Sequence, residues 1–173
     1  MSFLKILVAI DNSPLCQPVF AEALELAQSK GAQLMLLHCL STDVLSETSV
    51  PMSVELGLYP QMINPATYET QQVIMEQQIE QALNLLRSYC QTATSQGVPT
   101  EFDYKVGDPG QWICQMAQNW GADLIVMGRR GRTGLTEALL GSVSNHVLHH
   151  APCSLLVMQD LKPQETTPVS SGR

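Results

Sequence analysis

From Gly128 to Gly134 the chain reads Gly-Arg-Arg-Gly-Arg-Thr-Gly, and Gly141-Ser142 follows Gly131 after nine intervening residues. Glycine allows positive φ and close backbone approach, so successive N–H groups can converge on phosphate oxygens. Ser142 opens a helix predicted over Val143 to His149, whose unpaired N–H groups and positive dipole end suit a second part of the same anion. The apolar run from Asp123 to Met127 just upstream reads as a buried parallel strand. The glycines therefore fall at a strand's C-terminal end, where open α/β sheets bind ligands. The chemistry of the pattern is anion binding.

Several other chemistries lack their residues. No GxxxxGK[ST] run is present, and no GxGxxG follows the first strand, which disfavours a P-loop ATPase and a dinucleotide oxidoreductase. Glu137 is the acid within the glycine-rich stretch and reads as solvent-facing, so no general base for hydrolysis stands out. His146, His149 and His150 have i, i+3 and i, i+4 spacing, but no carboxylate or cysteine completes a metal site and a surface or dimer-side cluster is favoured. The five cysteines, Cys16, Cys39, Cys90, Cys114 and Cys153, contain no CxxC pair, which favours reduced, mostly buried thiols in a cytosolic compartment. His38, inside the second strand, reads as a hydrogen-bonded core residue.

The Gly128-x2-Gly131-x9-Gly141-Ser142 spacing, Ile6-Leu-Val-Ala-Ile-Asp11, Leu36-Leu-His-Cys39, Asp123-Leu-Ile-Val-Met-Gly128 and Ala151-Pro-Cys-Ser-Leu-Leu-Val157 together resemble the universal stress protein family, in its ATP-binding branch. The resemblance covers roughly residues 2 to 160, apart from the segment after Ser41. It implies a Rossmann-like three-layer α/β sandwich of the adenine nucleotide alpha hydrolase type, with a five-stranded parallel sheet in order 3-2-1-4-5.

The resemblance also implies the site. Ala9 lines the pocket through its backbone, Asp11 contacts the sugar or base, Cys39 offers main-chain contact to adenine, and Met127 lies beside ribose or base. Gly128 and Gly131 let the loop close over phosphates, while Gly141, Ser142 and Val143 donate N–H or hydroxyl groups. Asp11 also suits a helix cap, but Ser13-Pro14 supplies that cap, so the ligand role is preferred. Of Arg129, Arg130 and Arg132, one or two are expected to touch phosphate, Arg132 first, with the remainder solvated. Ser144 offers a further hydroxyl, or is simply a first-turn serine. The implied ligand is ATP with Mg²⁺; slow ATP hydrolysis and AMP or cyclic-nucleotide sensing are the alternatives. A homodimer formed through the strand around 153–158 is implied as well, and an unidentified regulatory partner would read nucleotide occupancy.

Composition bounds the remaining functions. A net charge of −7, with 45% hydrophobic and 14% charged residues, fits a globular domain and argues against bulk nucleic-acid binding. The apolar stretch from Phe3 to Ile10 is too short to span a membrane and reads as the first strand, so a cytoplasmic protein without a membrane partner is expected.

The elements that must position these residues alternate βαβαβαβαβ within one domain over residues 1–160. A helix settles by Val19 and runs to Lys30, and Gln33 to Cys39 makes the second strand. Asn64-Pro65 starts a long helix with an apolar stripe at Ile74 or Met75, Ile79, Leu83, Leu86 and Cys90. Thr100 to Val106 alternates as an edge strand, with Phe102, Tyr104 and Val106 on its dry face. Asp108-Pro109-Gly110-Gln111 caps a helix through Trp120, and Ser154 to Met158 is the fifth strand. The loop insertion at about 41–65 reads as a partly ordered flap or a variable surface excursion, and the tail at 161–173 as disordered.

Overall fold

A computed structural model describes residues 3–41, 65–129 and 141–159. Among these residues nine elements run in the order β1 (Lys5–Ile10), α1 (Cys16–Lys30), β2 (Gln33–Leu40), α2 (Pro65–Ser95), β3 (Thr100–Val106), α3 (Pro109–Trp120), β4 (Leu124–Gly128), α4 (Ser142–His150) and β5 (Ser154–Met158). All strand pairs are parallel and the sheet order is β3-β2-β1-β4-β5. Most of the 41–65 insertion, residues Arg130, Gly131 and Arg132, and the 161–173 tail lie outside the described residues.

Alternation along the strands divides the core into two layers. Ile6, Val8, Ile10, Leu34, Leu36, Leu124 and Val126 face α1 and α2. Leu7, Met35, Leu37, Ile125 and Met127 face α3 and α4, packing with Ile113, Ala117 and Val147. Strands buried on both faces explain why β1, β2 and β4 read as continuous apolar runs. At the start of the sheet, Asp123 Oδ2 accepts hydrogen bonds from the backbone N–H groups of Leu4 and Lys5, both at 3.0 Å. That carboxylate ties the entry of β4 to the entry of β1.

Several local expectations are met. Asp108 caps α3 by accepting from the Gln111 N–H at 2.8 Å, with a proline in the first turn. Gly31 and Gly121 end α1 and α3 in the left-handed region, at φ 64° and 72°.

Others are corrected. Helix α1 begins at Cys16 rather than near Val19, because Pro18 occupies the third helical position, where a missing N–H loses no intrahelical bond. Ser13 does not cap it with its side chain: the cap position is Leu15, without a side-chain hydrogen bond. Among the described side chains of α2 the fully buried positions are Ala82, Leu86 and Ala93, with Leu83 only half-buried, because close approach to the sheet selects small residues. On β3, Phe102 and Tyr104 pack into the α1/α2 layer while Val106 is exposed. Its wetter face carries an ion pair, Lys105 to Asp103 at 2.6 Å, with the ammonium also over the Trp112 ring. Of the cysteines only Cys16 is fully buried; the other four are half-buried free thiols.

Helices α3 and α4 meet at Gly110. A Cβ there would lie 2.9 Å from His146 Cγ and Cδ2 and 3.0 Å from its Cβ, close to the helix backbone rather than at a mobile tip. Gly110→Ala is therefore expected to lower unfolding free energy by about 1–3 kcal/mol despite alanine's better helix propensity, as measured by urea denaturation.

Candidate functional site

Strand β1 lies between β2 and β4, and the chain leaves it toward β2 on one side and returns through β4 on the other. The C-terminal ends of β1 and β4 thus flank the point where strand order reverses, the place at which an open α/β sheet leaves a crevice. The register pairs Ile10 with His38 and Val8 with Val126; continued by two residues, it brings Ile10 level with Gly128. Asp11 and Arg129 therefore follow directly on the two lips.

One face of this crevice collects four of the expected residues. Met127 is buried in the α3/α4 layer, and Ala9, Cys39 and Val143 pack half-buried against that layer. Ala9 and Met127, far apart in the chain, are brought together by the sheet order, which sets β1 beside β4. Burial, reinforced by the negative charge of Asp108 and opposed by Lys105, pushes the Cys39 thiol up to about 12. It stays neutral, which removes it as a nucleophile and leaves its main chain as the usable part. Burial likewise raises Cys16, Cys90, Cys114 and Cys153, so none of the five carries the depressed pKa of a redox-active thiol.

The candidate anion-binding element is the start of α4. Gly141 occupies its cap position at φ −59°, ψ 159°, and no side chain caps the helix among the described residues. The first intrahelical bond runs from Asn145 N–H to the Gly141 carbonyl at 2.9 Å. The N–H groups of Ser142, Val143 and Ser144 precede that bond and sit at the positive end of the helix dipole. Ser142 is exposed, whereas Ser144 is only 3% exposed.

Three expectations change in detail. Gly128 and Gly141 do not use positive φ; among the described residues that region is occupied by Gly31, Gly97, Gly107 and Gly121. Gly128 instead makes room for α1: a Cβ there would touch Leu15 Cβ and Val19 Cγ2 at 3.4 Å. The Arg129 N–H donates to the Met158 carbonyl at 2.7 Å, so its backbone is spent on the β4–β5 ladder and only its guanidinium can reach a ligand. Asp11 Oδ1 accepts from the Ser13 N–H at 3.0 Å and the Ser13 hydroxyl at 2.6 Å. Sequence reasoning had assigned Ser13 to the helix; the Asp-x-Ser spacing of an Asx turn was the signal that could have found this contact.

A family model for the universal stress protein family matches residues 2–159. The chain belongs to this family. It is 43% identical over 162 residues to universal stress protein Sll1388 of Synechocystis, covering 92% of this chain and 99% of that one. The fold is shared with solved universal stress proteins and their neighbours. Hypothetical protein MJ0577 has a TM-score of 0.73 at 22% identity, covering 94% of this chain and 99% of that one. A universal stress family protein from Arabidopsis thaliana, solved with AMP bound, has a TM-score of 0.58 at 21% identity over 95% and 97% of the two chains. Two further solved universal stress proteins hold dAMP, from Archaeoglobus fulgidus (TM-score 0.56, 20% identity, 91% and 98% covered), and cAMP (TM-score 0.61, 18% identity, 92% and 98% covered). These identities speak to the fold.

His38 is a core residue at 4% exposure, and among the described residues its Nδ1 has no hydrogen-bond partner. Burial pulls its pKa down, with the Ile10 backbone and the Asp11 charge opposing. A histidine depressed in the folded state takes up its proton first when unfolded, so stability falls as pH drops below the ordinary imidazole value of about 6.5. His38→Leu is expected to flatten that acid limb between about pH 7 and pH 5 in urea titrations. An unchanged slope would assign the acid loss to other groups.

Proposed function

We propose that this chain is a nucleotide-dependent stress-response regulator that binds ATP with Mg²⁺ at the switch-point crevice. The observation that carries the reading is the uncapped start of α4 beside Met127, Ala9, Cys39 and Val143. Adenine packs against that face and meets the Cys39 main chain. Asp11 takes the sugar or base, and the phosphates lie on the N–H groups of Ser142 and Val143, with Gly128, Gly131 and Gly141 lining their approach. Arg129 and Arg132 reach the phosphate oxygens through their guanidinium groups.

Magnesium usually enters such sites on phosphate oxygens with few protein ligands. No group of three or more histidine, cysteine or acidic side chains placed to hold a metal occurs among the described residues, which fits a cation carried in by the nucleotide. Among the described residues no helix is long and apolar enough to cross a membrane, which is compatible with a cytoplasmic protein. The proposed domain spans residues 1–160. Its β5 is an edge strand with five half-buried residues, and a second copy pairing there would form the homodimer and cover that edge. A protein partner would then read nucleotide occupancy.

AMP, dAMP and cAMP in solved relatives favour a second reading, adenylate or cyclic-nucleotide sensing, in which a γ-phosphate adds little. Calorimetric titration of nucleotide-stripped protein separates the two. MgATP binding tighter than AMP or cAMP supports the first, and equal affinities support the second. Phosphate release during the same incubation would add slow hydrolysis.

Ser142→Asp divides stability from binding. A carboxylate in the first turn of α4 favours the helix dipole by about 0.3–1 kcal/mol while repelling phosphate. The variant is expected to melt no lower than the parent and to bind ATP at least about tenfold more weakly. Retained affinity would move the phosphates away from α4.

A further inference from the structure

The C-terminal half of α4 carries three histidines, and the structure sorts them into a pair and a single residue. His146 and His150 stack, with ring centroids 4.3 Å apart and planes inclined by 17°. His149 is exposed and takes no part in that contact. Each ring of the pair is held from a different side. His146 is half-buried against α3, where a Cβ on Gly110 would fall 2.9 Å from its Cγ and Cδ2, so the missing side chain leaves a seat for the imidazole. His150 is exposed but tied to the helix: its Nδ1 lies 2.8 Å from the His146 carbonyl oxygen.

A carbonyl oxygen can only accept, so Nδ1 of His150 carries the hydrogen, and in the neutral ring the lone pair is left on Nε2. A backbone carbonyl on one ring nitrogen is the usual outer partner of a metal-binding histidine, because it fixes both tautomer and ring orientation. The i, i+4 spacing sets the two side chains on one helix face, the arrangement by which helical histidine pairs hold zinc. Metal–nitrogen bonds of about 2.0–2.1 Å bridge ring nitrogens up to about 4 Å apart. Nearly parallel rings at 4.3 Å need only small turns about χ2 to meet that span.

We propose that His146 and His150 form a two-point chelate for a divalent transition ion that favours imidazole, such as Ni²⁺ or Zn²⁺, with water completing the coordination. Among the described residues no third histidine, cysteine or acid is placed to join them. The site binds rather than catalyses: Val147, wholly buried, stands where the helical zinc-hydrolase pattern carries its glutamate base. The two ligands lie about one and about two turns beyond Ser142, so the site stands whether or not a nucleotide occupies the helix start. By joining successive turns, the ion holds the end of α4 in its helical form and stabilises the folded chain.

The test is calorimetric titration of the chelator-stripped full chain with Ni²⁺, together with thermal melts in its presence and absence, for the parent, His146→Gln, His150→Gln and His149→Gln. The parent should bind the ion saturably and melt higher with it. His150→Gln, at an exposed position, should melt like the parent without metal, bind Ni²⁺ at least about tenfold more weakly and lose the metal-induced rise. His146→Gln should lose the same affinity, while His149→Gln should keep both binding and the rise. Because His146 also packs on α3, His150→Gln decides the outcome if His146→Gln fails to fold.

A parent that shows no saturable Ni²⁺ binding would overturn the proposal. Binding that His150→Gln leaves unchanged would overturn it as well, since an ion held on the thiols survives that substitution. Affinity lost in His146→Gln but kept in His150→Gln would assign the effect to packing on α3. A loss in His149→Gln equal to that in His150→Gln would contradict the stacked pair as the chelate.

Discussion

Strand β1 is hydrogen-bonded on both sides, to β2 and to β4, and this double pairing is the constraint from which the site follows. A strand paired on one side only could shift register without moving a second partner. Here any slip would turn Leu7 and Ile6, both wholly buried, into the wrong layers at once. Asp123 adds a second lock by accepting from Leu4 and Lys5 at the opposite end of the same strand pair. The reversal of connection direction across β1 then leaves a crevice whose lips are fixed in height relative to one another.

What the crevice presents is mostly main chain and packing rather than side-chain acid and base. The α4 start supplies N–H groups and a dipole, Met127 and Val143 supply an apolar floor, and Cys39 is held neutral by burial. On the proposed reading the donors are preorganised, because they belong to a helix already packed through Val147 and through the His146–Gly110 contact. The polar exceptions are Asp11, which accepts from Ser13, and His38, buried with no partner for Nδ1 among the described residues. Asp11 lies just past the end of β1, and His38 lies near the end of β2, still within the ladder between Ile10 and Tyr104.

Much of this was legible from residue pattern. Continuous apolar runs marked β1, β2 and β4 because both faces of a parallel sheet are covered, and Asp108 with Pro109 marked the start of α3 through cap chemistry alone. The strand order came from family resemblance, since alternating elements fix parallel pairing but not which strands are neighbours. Single-sequence reasoning failed where a residue's role depends on something distant. Gly128 was read as a loop glycine, but its missing side chain accommodates Leu15 and Val19 from another element. Arg129 was read for its charge, while its N–H is held by Met158 across the sheet. Ala82 and Ala93 were overlooked on α2 because a hydropathy stripe favours large residues, whereas a helix lying close on a sheet buries small ones.

The most direct test of the central claim is a backbone amide NMR titration with MgATP, which reads the proposed donors one by one. The account predicts the largest shifts at Ser142, Val143 and Ser144, accompanied by Asp11, Cys39 and Gly128, with α2 scarcely affected. Shifts confined to Gln17, Leu85 and Tyr89, which line the cavity between α1 and α2, would place the ligand on the opposite face and contradict it.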